Sequence, residues 1–358
     1  MLRSHLLLAT IGTVALASFG AACGDSGTTP VGGGSPTPGG VSPPPRPTGA
    51  SPGDGSGTIF GASHIYIGTK TRDGVEKSDA WADYGYDLDH QVTGSAFTTH
   101  CKPAGGAAPN NVFPDGTNGI DNAFGKVLLP IIKTAAATSV TDLEASLNEA
   151  ITGGTFTIIV NLKDLGAGAN YDPINAGLLA GKEGVPPVWK TVPEFPEVPF
   201  TNSYVNENTW VSGDQGTVSL NIGIAGFSLA LDIKAAFLTM DMNSAHDGAT
   251  GGVVAGVLDT EAFIEQLRDV LGAVQASFCD GAAVEGILNQ IRQASDIMKD
   301  GTQDAGAECN GISIGIGFDA SVITLDGEGT PADPVDPPCM GGGSEGGGPV
   351  GGAGAGGN

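Results

Sequence analysis

Two short stretches carry the side chains best suited to chemistry. In "DGTNGID", Asp115, Asn118 and Asp121 put three hard oxygen donors within seven residues, and Gly116 and Gly119 permit a tight turn between them. In "YDLDHQ", Asp87 and Asp89 stand two residues apart beside His90, so a strand would place both carboxylates on one face. Donor sets made only of oxygen suit a hard divalent cation, calcium first. If the loop after Cys101 turns back on "YDLDHQ", Asp87 or Asp89 joins Asp115, Asn118 and Asp121. That gives about five oxygens, enough with water for the roughly six to eight that calcium takes. The spacing is not that of an EF-hand loop, and its closing bidentate Glu is missing. A plainer reading stays open: Asp115–Gly116 and Asn118–Gly119 are turns, and Asp121 or Asn122 caps the helix containing "FGKVLLPII". Asp241, Asn243 and Asp247 in "MDMNSAHDG" form a second, looser group, better read as turn residues.

Catalysis has less to stand on. The chain has no GxSxG elbow, and His64, His90, His100 and His246 have no neighbouring nucleophile that marks one as a base. His90 in "DLDHQ" is the best placed of the four. No glycine-rich stretch has the spacing and Lys of a phosphate-cradling loop. No catalytic residue is assigned. The rival to a binding role is an extracytoplasmic hydrolase of sugar or peptide, with Asp87 and Asp89 as its paired carboxylates.

Charge narrows the partners. Acids number 39 against 15 Lys and Arg, for a net charge of −24. Phosphate backbones need a basic face, so nucleic acid is excluded as an expected partner. Such acidity favours cations and solubility without locating an active site.

The ends of the chain speak to location. Arg3 gives a short basic start, Leu6 to Phe19 is uncharged and mostly apolar, and the small residues Gly20, Ala21 and Ala22 precede Cys23. Residues 1–22 are therefore expected to be a secretory signal. A cysteine placed directly after small residues resembles the lipobox of bacterial lipoproteins, with the departure that Gly20 stands where leucine is favoured. The resemblance implies a lipidated Cys23; ordinary cleavage nearby is the alternative. From residue 24 to 57, 11 of 34 residues are Gly and 8 are Pro, which predicts a disordered tether. Residues 340–358, with 11 Gly in 19, are expected to be a disordered tail. Lipid on Cys23 would make a membrane the first partner, at the outer membrane or cell surface, with an unknown envelope or extracellular ligand as the second.

With Cys23 set aside, Cys101, Cys279, Cys309 and Cys339 remain, an even number in an exported chain with three possible pairings. Cys279 and Cys309 flank one predicted helix, which favours that pair, with Cys101–Cys339 as the second. Closing the 31-residue loop would contribute roughly 3–4 kcal/mol in the chain-entropy model. Zinc is disfavoured, since no CxxC is present.

The elements that must position these residues are mostly strands. Alternation of Val218, Leu220, Ile222 and Ile224, then Phe227, Leu229, Leu231 and Ile233, predicts a hairpin turning at Ala225–Gly226. Ile312, Ile314, Ile316 and Phe318 repeat the pattern. Glycines on the opposite face of several strands imply that something packs closely there. Helices are predicted after a capping box at Thr141–Glu144, from Asp259–Thr260 to Gly272, and between Ala282 and Gly301. "VPPVWKTVPEFPEVPF" is expected to stay out of any central sheet because of its prolines.

The predicted fold class is α+β: one domain over residues 58–339, mostly antiparallel and sandwich-like, with a few packed helices and disordered tails. "GYDLDHQVT", a cysteine soon after it, "DGTNGIDNAFG" and "CNGISIGIGFDA" together resemble a set of exported lipoproteins of the myxobacterial type, from about Trp81 to Leu325. The resemblance implies export and a shared fold, and no activity is assigned to that set. The expected function is a cell-envelope lipoprotein with a binding or structural role, stabilised by calcium.

Overall fold

The computed structural model describes residues 40–92, 99–108, 115–135, 142–213, 215–224, 227–274, 279 and 282–331. The signal segment, Cys23, Cys339 and the glycine-rich tail lie outside them, as does the expected turn at Ala225–Gly226.

Eleven strands share one sheet: β1 Thr58–Tyr66, β2 Thr157–Leu162, β3 Tyr171–Val185, β4 Val188–Thr191, β5 Val198–Asn206, β6 Thr209–Val211, β7 Gly216–Ile224, β8 Phe227–Met242, β9 Gly248–Asp259, β10 Gly311–Val322 and β11 Thr324–Glu328. Eight of them close a ring in the order β3-β2-β1-β10-β9-β8-β6-β5, and β5 pairs back onto β3. Every pairing around the ring is antiparallel. The extra strands β4 and β11 extend from β3, and β7 pairs with the first half of β8.

The sandwich-like α+β expectation is thus overturned: this is a closed antiparallel barrel with added strands and few helices. Period-two alternation is the same in a sandwich and a barrel, because both bury one face of each strand. Closure depends on curvature. Ala235 in β8 and Glu183 in β3 hold φ of 47°, each beside a register shift, and such bulges bend and twist a long strand. Closing the ring also removes the free edges that an open sheet would leave.

Two further expectations fail locally. Val198, Pro199 and Phe200 enter β5, a barrel strand, with Pro199 opposite Gly177. Pro199 sits near the strand's beginning, before the pairing with β6 starts at Tyr204, so its missing N–H breaks no ladder on that side. Residues 40–57 are not a free tether. Arg46 pairs with Asp172 and lies 4.7 Å from the Tyr204 ring centroid. Gly53 N donates to Pro173 O at 2.9 Å and Gly55 N to Asp164 O at 3.0 Å, so the segment lies along the barrel. Its glycines permit that contact: a Cβ on Gly55 would fall 2.0 Å from Leu165 O.

Among the described residues, four α-helices flank the barrel: α1 Leu129–Ala135, continued from a π-helical turn over Phe124–Leu128, α2 Leu143–Thr152, α3 Thr260–Val274 and α4 Ala282–Arg292. Asp142 caps α2 by accepting from Ala145 N at 3.0 Å. The expected capping partner Glu144 turns elsewhere: its buried Oε2 accepts from Ile67 N at 3.0 Å and Thr69 Oγ1 at 2.8 Å. The helix after Ala282 ends at Arg292, earlier than its periodicity implied, and the chain leaves it to reach Asp296.

Candidate metal centre

β10 is the platform of the site. Ile312, Ile314, Ile316 and Phe318 lie in the main core, while Ser313, Gly315 and Gly317 face the other way, as strand alternation requires. A Cβ on Gly315 would fall 2.1 Å from Tyr84 O, and one on Gly317 would fall 2.5 Å from the Tyr84 ring. Those glycines therefore let the Tyr84 segment press directly on the strand. Asn122 fastens a second loop to the same place, with Nδ2 3.0 Å from Tyr84 O and 3.0 Å from Gly315 O.

Two turns meet there. Asp121 N donates to Tyr86 O at 2.9 Å, and Asp121 Oδ2 accepts from Leu88 N at 2.7 Å and Asp89 N at 3.3 Å. Gln91 N is shared by Asp87 Oδ1 at 3.0 Å and Asp89 Oδ1 at 2.8 Å. "YDLDHQ" is therefore a turn, with His90 at φ 60°, and not the strand that would alternate its side chains. The turn still gathers both aspartates. Carboxylate oxygens of Asp87, Asp89 and Asp121 all lie within 4.8 Å of one another. Asp121 is 3 % exposed, Asp87 4 % and the Asp89 side chain 2 %.

A supporting ring surrounds the three. Gln303 Nε2 donates to Asp89 Oδ2 at 2.9 Å, and its Oε1 accepts from Cys101 N at 3.0 Å. Cys101 is joined to Cys309, with Cα atoms 5.1 Å apart. Buried Asp296 accepts from Ser313 N at 2.8 Å and Ser313 Oγ at 2.6 Å. Buried His100 places Nε2 3.6 Å from Asp89 Oδ2. Residue 40 reaches the site too: a Cβ on Gly40 would come 1.9 Å from Asp87 Oδ2, and Val41 O accepts from Asp87 N at 2.8 Å.

Burial dominates the electrostatics. It pushes Asp89 up to about 7, aided by the charges of Asp115 and Asp87 and opposed by the hydrogen bonds from Gln303 and Gln91. It raises Asp296 to about 7 against the Ser313 hydrogen bonds, with Asp89 and Asp115 adding to the rise. Asp121 is raised well above the usual carboxylate range by burial and then by Asp89, Asp296 and Asp115. Asp87 is raised by burial as well. Burial lowers His100 to about 4, so its imidazole is neutral at neutral pH. Lys126 lies in electrostatic reach of Asp115 and Asp296 and is itself lowered by desolvation. Gathered acids with so little positive charge nearby must hold protons or a cation. Three carboxylates are hard oxygen donors, and this cluster could hold a metal ion.

Of the five residues expected to ligate, the structure brings Asp87, Asp89 and Asp121 together. Asp115 acts on them through its charge. Asn118 does not converge: it is exposed, at φ 52°, and serves the turn by accepting from Val41 N at 3.0 Å. The helix-cap reading also holds in part, because Asn122 Oδ1 accepts from Gly125 N at 2.9 Å and leaves Asp121 for the cluster. Asp296 and Gln303 went unread, since each arrives from a distant part of the chain with no local motif, and His100, 11 residues after Asp89, was weighed only as a base. The favoured disulfides are corrected: Cys309 joins Cys101 and not Cys279, because the loop after His100 runs beside the start of β10, where Lys102 and Glu308 bridge. Cys279 is in a disulfide as well. His64 Nε2 meets Asn148 at 3.3 Å, and His246 meets Gly166 O at 3.0 Å and Asn208 at 3.1 Å, so both are held in packing contacts.

Leu88, Asp89, His90, Gln91, Thr302 and Gln303 help to line an open hollow of about 630 Å³, so the cluster borders it through Asp89. No family model, curated protein or solved structure matches this chain.

Proposed function

We propose that this chain is an exported cell-envelope lipoprotein with a non-catalytic binding or structural role, and that calcium fills the acidic cluster. The observation that carries the reading is the buried group Asp87, Asp89 and Asp121, with oxygens within 4.8 Å of one another and each carboxyl raised by burial. Oxygen-only ligation and a site built from turns favour calcium over zinc or copper, which prefer nitrogen and sulfur. Hydrolysis is less favoured, because Asp87 and Asp121 are buried and the Asp89 side chain, although its residue borders the neighbouring hollow, is only 2 % exposed. The signal-like start, Cys23 and the resemblance to exported lipoproteins support anchoring at the outer membrane or cell surface.

Calcium should raise the melting temperature by mass action, and Asp121→Asn should remove that response. Asparagine keeps an oxygen for Leu88 N, so a loss of response reports ligation and not a broken turn. A wild-type melting curve unmoved between excess chelator and millimolar calcium would sink the calcium reading. Cys23→Ser should release the protein from membranes, and a variant that stays membrane-bound would sink the anchor.

A further inference from the structure

A second hollow, of about 550 Å³, lies between the 68–78 segment and the beginnings of α1 and α2, on residues the acidic cluster does not use. Glycines shape its inner wall. A Cβ on Gly68 would come 2.8 Å from Trp81 Cβ, and one on Gly125 2.5 Å from the same atom, so Trp81 is clasped between two bare backbones. The floor is apolar: Leu129 and Ile132 are buried, and Leu143 is partly buried and packs against the core.

The rim has the opposite character. A short hairpin, closed by Thr71 N donating to Val75 O at 2.9 Å, presents Lys70 and then Lys77. Helix α1 adds Lys133. Three lysines therefore border the hollow against two acids, Glu76 and Asp142, although acids outnumber bases 39 to 15 in the chain. Lys70 is engaged by Asp142 at 2.8 Å and Lys77 by Asp79 at 3.3 Å and Asp83 at 4.0 Å, while Lys133 makes no ion pair within 4.0 Å among the described residues and acts on Asp142 from farther away.

We propose that this hollow binds a single-chain anionic amphiphile, its carboxylate or phosphate head at Lys77 and Lys133 and its apolar chain on Leu129, Ile132 and Leu143. The volume is within the range of small-ligand sites, which pair an apolar lining with a few placed polar groups. A purely apolar ligand would strand its chain among ammonium groups, and a bare anion would leave the floor wet. In a chain with a net charge of −24, a rim where lysines outnumber acids three to two is a place an anion can approach. The proposal does not rest on the cation reading.

The test uses the full chain carrying Cys23→Ser, so that no attached acyl chain competes. Calorimetric titration in calcium-free buffer, below micelle-forming concentrations, compares decanoate, decyl phosphate, decanol and inorganic phosphate. Decanoate or decyl phosphate should bind saturably at one molecule per chain, and the stronger of them identifies the head group. Decanol and inorganic phosphate should each be weaker by roughly tenfold or more. Adding Lys77→Glu and Lys133→Glu should weaken the amphiphile by a similar factor with the melting temperature unchanged, whereas Asp121→Asn should leave binding intact. Equal binding of decanol, equal binding of inorganic phosphate, no saturable binding at all, or indifference to the charge reversals would each overturn the proposal.

Discussion

Two acidic groups look alike in the sequence and become different objects in the fold. Asp115, Asn118 and Asp121 lie within seven residues, and so do Asp241, Asn243 and Asp247. The second group stays local, at the β8–β9 turn. Asn243 Nδ2 donates to Asp247 Oδ1 at 2.6 Å, and Thr209 Oγ1 donates to Asp241 Oδ1 at 2.8 Å, so exposed acids are met by neighbours and water. In the first group only Asp121 is buried, and it is joined by Asp87 and Asp89 from another loop and by Asp296 from a third. Spacing alone does not make a site. What separates the two groups is burial with like charge, which the second avoids and the first concentrates.

The largest effect expected on this comparison comes from the disulfide that braces the first group. Cys101–Cys309 spans 208 residues of sequence, and the chain-entropy model puts its contribution near the upper limit, about 5 kcal/mol. Cys101→Ser with Cys309→Ser should lower the melting temperature by roughly 2–4 °C per kcal/mol lost. It should also weaken the calcium response, since Gln303 bonds both Cys101 N and Asp89. Differential scanning calorimetry with and without calcium measures both. A double variant that melts like wild type would show that the brace contributes nothing.

Next in size is Asp121→Ala, which leaves the Leu88 N–H without its 2.7 Å acceptor. A stranded buried donor costs roughly 1–3 kcal/mol. Asp247→Ala, at the exposed group, should stay within about 0.5 kcal/mol and keep the full calcium response. If Asp247→Ala abolished that response instead, the roles of the two groups would be reversed.

The pH dependence gives a smaller, signed effect. Folding raises Asp89 and Asp296 from 3.8 to about 7 and Asp121 well above 3.8, so between roughly pH 4 and 7 the folded state binds more protons than the unfolded one. Their stabilising contribution is complete below the unfolded values and is lost as pH rises through the folded ones. Asp142 and Glu261 act oppositely, because hydrogen bonds from Lys70 and Arg292 hold them low. The informative quantity is therefore the difference between wild type and Asp121→Asn. Without calcium, the variant should gain on wild type as pH rises across that window; with calcium, which displaces the protons, it should lose ground. Parallel curves in both conditions would leave the cluster electrostatically inert.

Much of the strand content was legible. The alternation Val218 to Ile224 and Phe227 to Ile233 does form a paired hairpin, and the Ile312–Phe318 alternation does supply a core strand. The glycines opposite that core face did announce close packing, which Gly315 and Gly317 provide for Tyr84. Closure of the ring was not legible. It depends on β3 meeting β5 and on bulges at positions such as Ala235, where nothing in the local pattern marks a left-handed residue. The segment 40–57 misled for a related reason: its Gly and Pro content reads as freedom, but glycine also allows the closest approach to another backbone, as Gly55 shows against Leu165.

By itself, the sequence determined which residue types were on hand: period-two strands with one apolar face, an excess of acid over base, and aspartates spaced along turns. Those properties follow from neighbours in the chain, where propensity and periodicity act. Only the tertiary structure decided which aspartates meet. Asp87, Asp121 and Asp296 are separated by 34 and 175 residues. Their encounter is set by where β10 presents Ser313 and Gly315 to the loops that cross it. It also decided the charge state of the group, because a carboxylate's pKa is moved by the water it loses and the charges it gains, and both depend on the folded surroundings.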